Sequence, residues 1–291
     1  MKILITGSNG QLGQSLQKLL PVELFENVNM MDLPEFDITK ENNIKNYLDK
    51  NKPDVIINCA AYTDVNKAES DEDTARLVNA VGIKWLGKYS AFYGGKIIHI
   101  STDYVFDGSS NIPLTPEIAT NPQSVYGKTK LEGEQLLIKE NANSIIIRTS
   151  WLYSPYGHNF LKTMLNIGQQ KEQISVVYDQ IGTPTYAFDL ASAIIHIIKN
   201  MKRNPAFFTP GIYHFSNEGV CSWYDFAVMI FRIAGIDCHV KPVLTNEYPT
   251  IAQRPAYSVL DNSAFRNEFG FEAPYWIESV EKCLKEMKSE K

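Results

Sequence analysis

The first thirteen residues leave this chain few choices of fold. Lys2-Ile3-Leu4-Ile5-Thr6 is a short apolar run, Gly7-Ser8-Asn9-Gly10-Gln11-Leu12-Gly13 follows at once, and Leu12, Leu16, Leu19 and Leu20 then recur at helical spacing. Strand, glycine turn, helix is the context that a dinucleotide-binding loop requires. Gly7 suits the tight turn, Gly10 lets backbone approach a pyrophosphate, and Gly13 lets helix and strand pack closely. Asn9, Gln11 and Leu12 complete the loop. The pyrophosphate would sit at the helix N-terminus, where free N–H groups and the helix dipole favour anions. The spacing is Gly-x-x-Gly-x-x-Gly, not Gly-x-Gly-x-x-Gly, and turns also use glycine for steric reasons alone. The order of elements around the loop is what gives it weight.

The rest of the chain alternates strand and helix, the pattern of a doubly wound parallel sheet. Strands are expected at Val28–Met31, Asp54–Asn58, Lys96–Ser101, Ser144–Thr149 and Gly211–Phe215, and helices at Asn42–Asn51, Asp71–Tyr93 and Tyr126–Lys139. Further helices are expected at Asn159–Gln170, Ala187–Lys199, Ser222–Ala234 and Trp276–Lys288. The fold class is α/β: a Rossmann-like doubly wound parallel sheet with a smaller C-terminal substrate-binding lobe. Residues 1–152, with about 187–215, are assigned to the first lobe, and 153–186 and 216–291 to the second. No linker separates them, so the lobes should share a cleft.

Composition serves mainly to exclude. A hydrophobic fraction of 44% and a charged fraction of 21% over 291 residues are ordinary for a soluble protein. A net charge of −5 without a basic block argues against nucleic acid or an anionic membrane as partner. Lys2 leads straight into a strand, with no signal peptide and no run of membrane length, so a cytoplasmic location is expected. Cys59, Cys221, Cys238 and Cys283 lack Cys-x-x-Cys spacing and are expected to be reduced thiols. His99, His196, His214 and His239 show no ligand spacing and read as core or surface residues.

The chemistry concentrates in Ser101-Thr102-Asp103-Tyr104-Val105-Phe106-Asp107 and Tyr126-Gly127-Lys128-Thr129-Lys130. Together they supply a hydroxyl, a phenol and an ammonium, the groups needed to protonate a carbonyl while hydride arrives from elsewhere. Tyr126 and Lys130 are four apart in a proline-free helical run, hence on one face. A phenol is a poor acid at neutral pH, and a nearby ammonium is expected to lower its pKa. Thr102 ends a strand, where ligands gather in open α/β sheets.

These segments, with the glycine loop and Asn58-Cys59-Ala60-Ala61-Tyr62-Thr63, resemble the extended short-chain dehydrogenase/reductases. Arg148–Tyr153, Asn159-Phe160, Asp179-Gln180-x-Gly182-x-Pro184-Thr185 and Arg254-Pro255-x-x-Ser258 narrow the resemblance to the dTDP-4-dehydrorhamnose reductases. It runs from residue 3 to about residue 262. It implies Tyr126, Lys130 and Thr102 as catalytic residues, NADPH or NADH as cofactor and a dTDP-sugar as substrate. Asp32 ends the second strand and is either a ligand of the adenosine ribose, favouring NADH, or an ordinary turn aspartate. By resemblance, Asp37 and Ile38 lie near the adenine, Ala60, Ala61 and Tyr62 line the cofactor, and Asp103, Tyr104, Trp151, Asn159 and Arg254 meet the substrate. Trp151 reads equally as a core aromatic and Arg254 as a structural ion-pair partner. Some members bind magnesium between subunits through two glutamates. Here those positions are Ser15 and Phe188, so no metal is expected, and a monomer or weak homodimer is. Dehydratases of sugar nucleotides place Asp-Glu after the threonine, whereas this chain has Asp103-Tyr104. The readings left are a reductase, an epimerase or dehydratase of another nucleotide sugar, and a non-catalytic NADP-binding regulatory subunit like that of some methionine adenosyltransferases.

Overall fold

The computed structural model describes residues 1–21 and 27–289. Strands β1 (Ile3–Thr6), β2 (Val28–Met31), β3 (Val55–Asn58), β4 (Lys96–Thr102), β5 (Ser144–Thr149) and β6 (Gly211–His214) form one sheet. Their order is β6-β5-β4-β3-β1-β2, and every pair is parallel. The inner strands β1, β3, β4 and β5 are largely apolar because both faces are covered, whereas the edge strand β2 is only partly buried. Ile3, Ile5, Val55, Ile57, Ile98, Ile145 and Ile147 pack one way, with helices Gln11–Leu19 and Ala187–Arg203. Leu4, Ile56, Ile97 and Ile146 pack the other way, with residues of Glu41–Asn51, Gly82–Ala91 and Val125–Glu140. Each fully buried isoleucine contributes roughly 1.5–3 kcal/mol through burial. This is the doubly wound α/β sheet expected from the sequence.

One expected element is broken. In place of a single helix over Asp71–Tyr93 there are Glu72–Arg76, a π turn at Leu77–Val81, and Gly82–Ala91. Asn79 in that turn accepts from the Tyr62 N–H at 2.9 Å and donates to the Tyr62 carbonyl at 3.1 Å and to Thr129 Oγ1 at 3.2 Å. Widening the helix by one residue turns this side chain toward the loop after β3, and hydrophobic periodicity carries no trace of that.

A second hydrophobic cluster holds Tyr153, Leu161, Phe226, Ile230, Trp276 and Val280. It is built from helices Phe160–Gly168, Trp223–Ala234 and Trp276–Ser289 and a parallel pair, Gln173–Val177 with His239–Val243. Between them helix Ala187–Arg203 packs against Gln11–Leu19, and β6 extends the sheet beside β5.

The topology also locates a cleft. The chain leaves β1 for β2 at one edge and returns to β3 on the other side of β1. Loops after β1 and β3 therefore diverge at their C-terminal ends, which opens a crevice there.

Candidate active site

A cleft of about 870 Å³ follows the C-terminal ends of β1, β3, β4 and β5 and reaches the second lobe. Its first wall is the glycine loop. Gly7 has φ +67°, and a Cβ on it would lie 2.5 Å from the Ala60 nitrogen; one on Gly13 would lie 2.4 Å from the Gly7 carbonyl oxygen. Neither position admits a side chain, so backbone alone faces this part of the cleft. Gly10 caps helix Gln11–Leu19 without a side-chain hydrogen bond, so no side-chain cap satisfies the helix's first N–H groups. Gln11 and Leu12 line it beside Gly7 and Gly10.

Asp32 stands at the end of β2. Its carboxylate accepts from the Asn9 N–H at 2.7 Å and the Leu33 N–H at 2.8 Å, so it is both a turn aspartate and part of the cleft wall. Asn9 is held there through its backbone and is not itself a lining residue. Asp37 and the buried Ile38 continue the wall. Asp37 accepts from the Thr39 N–H and hydroxyl; burial raises its pKa, but Thr39 and Lys40 outweigh this and hold it below the usual range. Ala60, Ala61 and Tyr62 complete this side, and the Tyr62 hydroxyl donates to Asp71 at 3.1 Å. An anion-binding helix end, a loop closed to side chains and a carboxylate at the second strand's end together fit a dinucleotide.

The second half of the cleft holds the reactive groups. Ser124 caps helix Val125–Glu140 by accepting from the Gly127 N–H, and Tyr126 and Lys130 project from its first two turns. Thr102 closes β4. Its hydroxyl donates to Asp103 at 3.0 Å and accepts from the Tyr104 N–H at 3.2 Å. The Tyr104 and Tyr126 rings meet edge to face with centroids 5.5 Å apart, and Arg254 donates to the Tyr104 hydroxyl at 3.2 Å. Burial pushes Asp103 up to about 6 and Tyr104 to about 12.

Lys130 departs from expectation. Its ammonium donates to the Ile100 carbonyl at 2.7 Å, and burial lowers it to about 8 against the opposing influence of Glu134 and Cys59. The Tyr126 phenol is pushed up, not down: burial dominates, Asp103 and Tyr104 add to it, and the Thr102 hydroxyl opposes it. In this arrangement desolvation outweighs the lowering that an i,i+4 ammonium was expected to give.

Against this geometry the comparisons with known proteins are decisive. A family model described as "RmlD substrate binding domain" matches residues 1–289. A dTDP-4-dehydrorhamnose reductase of Aggregatibacter actinomycetemcomitans is 42% identical over 281 residues, 94% of this chain and 95% of that protein. The chain belongs to the dTDP-4-dehydrorhamnose reductase family. The crystal structure of such a reductase from Clostridium acetobutylicum superposes with a TM-score of 0.93 at 44% identity, covering 99% of this chain and 100% of that one. Another, from Bacillus anthracis in complex with NADP, gives 0.92 at 39% identity, covering 98% and 100%.

Most residues singled out for a reductase of this family lie around the one cleft, and Asn159 does not. Its amide donates to Gln11 Oε1 at 2.9 Å and to the Ser154 carbonyl at 2.8 Å, while its oxygen caps helix Phe160–Gly168 through the Lys162 N–H. With these bonds made, Asn159 ties the glycine-loop helix to helix Phe160–Gly168. Trp151 does line the cleft, with φ +49°, a left-handed backbone that costs roughly 1–3 kcal/mol in a non-glycine residue. Its indole stacks on Trp223 at 3.6 Å and 11°. Trp223 is a cleft residue that sequence reasoning missed, since the first position of a late helix signals nothing beyond its aromatic character. Ser15 donates to the Gln11 carbonyl, and Phe188 stacks with Tyr186 and Tyr156. Among the described residues no group of three or more His, Cys, Asp or Glu is placed to hold a metal, and no helix is long and apolar enough to cross a membrane.

Proposed function

We propose that this chain reduces the keto group of dTDP-4-dehydro-L-rhamnose to give dTDP-L-rhamnose, using NADPH or NADH. The observation that carries this reading is the junction of two half-sites in one cleft. The glycine-loop half suits a dinucleotide, and the Thr102, Tyr126 and Lys130 half suits a carbonyl.

The bound nicotinamide supplies hydride to the carbonyl carbon. Tyr126 gives its phenolic proton to the carbonyl oxygen as negative charge grows there. A raised phenol pKa does not prevent this, because an alkoxide is a much stronger base than a phenolate. Thr102 turns its single hydroxyl proton from Asp103 to the same oxygen and so donates a second hydrogen bond to it. Lys130 serves the phenolate and the cofactor ribose together.

The loop from Gly7 to Leu12 is proposed to take the pyrophosphate, Asp32 the adenosine ribose, Asp37 and Ile38 the adenine side, and Ala60–Tyr62 the middle of the cofactor. Asp103, Tyr104, Trp151 and Arg254 face the sugar nucleotide, where the apolar Trp151–Trp223 wall suits a 6-deoxyhexose methyl group. A cytoplasmic location is proposed, in keeping with relatives that are dTDP-4-dehydrorhamnose reductases. The protein is proposed to act as a monomer or weak homodimer that needs no magnesium.

Mixing the protein with the keto sugar nucleotide and following NAD(P)H absorbance tests the reading. Stoichiometric loss is expected. Turnover without net loss would mean an epimerase or dehydratase, and no reaction a binding subunit.

A further inference from the structure

On the sheet face that carries helix Val125–Glu140, the apolar pattern stops abruptly. Leu4, Ile56 and Ile97 form one row in register across β1, β3 and β4 and pack as core. Two residues further along, on the same face, the row is Thr6, Asn58 and His99, each at most 1% exposed. Thr6 Oγ1 donates to Asn58 Oδ1 at 2.6 Å, and Asn58 Nδ2 lies 2.9 Å from His99 Nδ1 and 3.3 Å from the Ala60 carbonyl. The row ends at Lys130, whose Nζ is 3.5 Å from His99 Nε2 and 2.7 Å from the Ile100 carbonyl. Burying polar groups across a sheet costs more than burying apolar ones unless each is partnered.

The partners decide where the ring proton sits. The Asn58 oxygen takes the Thr6 proton, and its nitrogen faces the Ala60 carbonyl, which can only accept. That nitrogen must then donate to His99 Nδ1, so a neutral ring carries its proton on Nε2, toward Lys130. An ammonium has only donors and cannot accept that proton. An amine accepts it while giving one of its own hydrogens to Ile100.

We propose that His99 is a positioning residue for Lys130. Held in one tautomer by Asn58, it presents Nε2–H to the lysine nitrogen and favours the uncharged amine. This rests on the roles of Tyr126 and Lys130 in the reduction proposed above. After Tyr126 has protonated the sugar oxygen, Lys130 gives one proton to the phenolate, leaving phenol and amine, and regains one from solvent. One proton is consumed for each carbonyl reduced.

The charges around Lys130 act in both directions. Glu134 favours the ammonium; it lies on the same helix and is bonded to Arg148 of β5 and Ser101 of β4. Cys59, after β3, acts the same way, and Tyr126 lies one turn back along the helix. Burial favours the amine, and His99 itself is kept neutral by burial and by Lys130.

Two measurements on the free protein test the proposal, and neither needs substrate, so failure of the reductase reading would leave their outcome unchanged. Nitrogen-15 NMR of histidine-labelled wild type is expected to show His99 with Nε2 protonated and Nδ1 bare across neutral pH. The opposite tautomer, or an imidazolium, would overturn the proposal. Carbon-13 NMR of the lysine ε-carbons should show the Lys130 titration rising by about half to one pH unit in His99→Phe, and moving upward also in Asn58→Leu. An unmoved titration in folded His99→Phe would overturn it equally. Should neither variant fold, the wild-type tautomer decides alone.

Discussion

At the scale of single residues, the active centre combines a deeply placed phenol with a lysine whose charge is poorly solvated. The Tyr104 N–H holds the Thr102 oxygen in place, while its single proton rests on Asp103 and is the one a bound carbonyl would have to draw away. Tyr126 is the group whose removal separates proton transfer from binding. Tyr126→Phe deletes one hydroxyl and leaves the ring against Tyr104, so cofactor affinity should stay within about twofold while turnover falls about 10²–10⁴-fold, the usual contribution of general acid catalysis. Fluorescence titration with NADPH and steady-state kinetics measure the two separately. Turnover surviving within about threefold would remove Tyr126 from the acid's role.

At the scale of elements, helix Val125–Glu140 must be pinned to the sheet for Tyr126 and Lys130 to meet Thr102. A buried ion pair does this. Arg148 of β5 donates from Nε and Nη2 to Glu134 at 3.0 and 2.7 Å, both side chains are at most 3% exposed, and the Ser101 hydroxyl of β4 also donates to Glu134. Removing one partner strands the other's charge in the core, so Glu134→Gln should cost about 3–5 kcal/mol in urea unfolding. The double variant Glu134→Gln/Arg148→Met should lose less than the sum of its parts. An unfolding midpoint unchanged in Glu134→Gln would show that something else seats the helix.

How much of this was legible beforehand follows the range of each interaction. Tyr126 and Lys130 declare themselves through i,i+4 spacing, and the glycine loop through three residues between a strand and a helix. The strand runs were equally plain, because burial on both faces leaves no alternation to misread. Asn79 and the π turn were hidden, since a one-residue widening follows from contacts with Tyr62 and Thr129, 17 and 50 positions away. His99 read as an ordinary core histidine because its meaning lies in register with Thr6 and Asn58. The bonds of Asn159 were hidden for a related reason: its resemblance to a substrate residue could not show that Gln11 and Ser154 take its amide.

For the molecule as a whole, the cleft is lined both by loops at the sheet's C-terminal edge and by Trp223 of the helix Trp223–Ala234. Gln11, in the glycine-loop helix, accepts from Ser154 and Asn159 of the second lobe at 3.1 and 2.9 Å. Assembly is a separate matter. Hard divalent cations need several oxygen ligands, and the resemblance puts Ser15 and Phe188 at the positions where some members of the family carry glutamates. Sedimentation and turnover are therefore expected to be the same in EDTA and in millimolar magnesium. A magnesium-dependent dimer would point to carboxylates elsewhere, such as Asp189.

The most direct test of the proposed reaction follows the hydride itself. NADPH carrying deuterium at both positions of nicotinamide carbon 4 would be mixed with dTDP-4-dehydro-L-rhamnose and the protein, and the sugar product read by NMR and mass spectrometry. One deuterium at carbon 4 of the sugar, with one NADPH consumed per product, is the expected result. A product without deuterium at that carbon, or turnover that leaves NADPH unconsumed, would contradict a reductase in which Tyr126 supplies the proton and the cofactor the hydride.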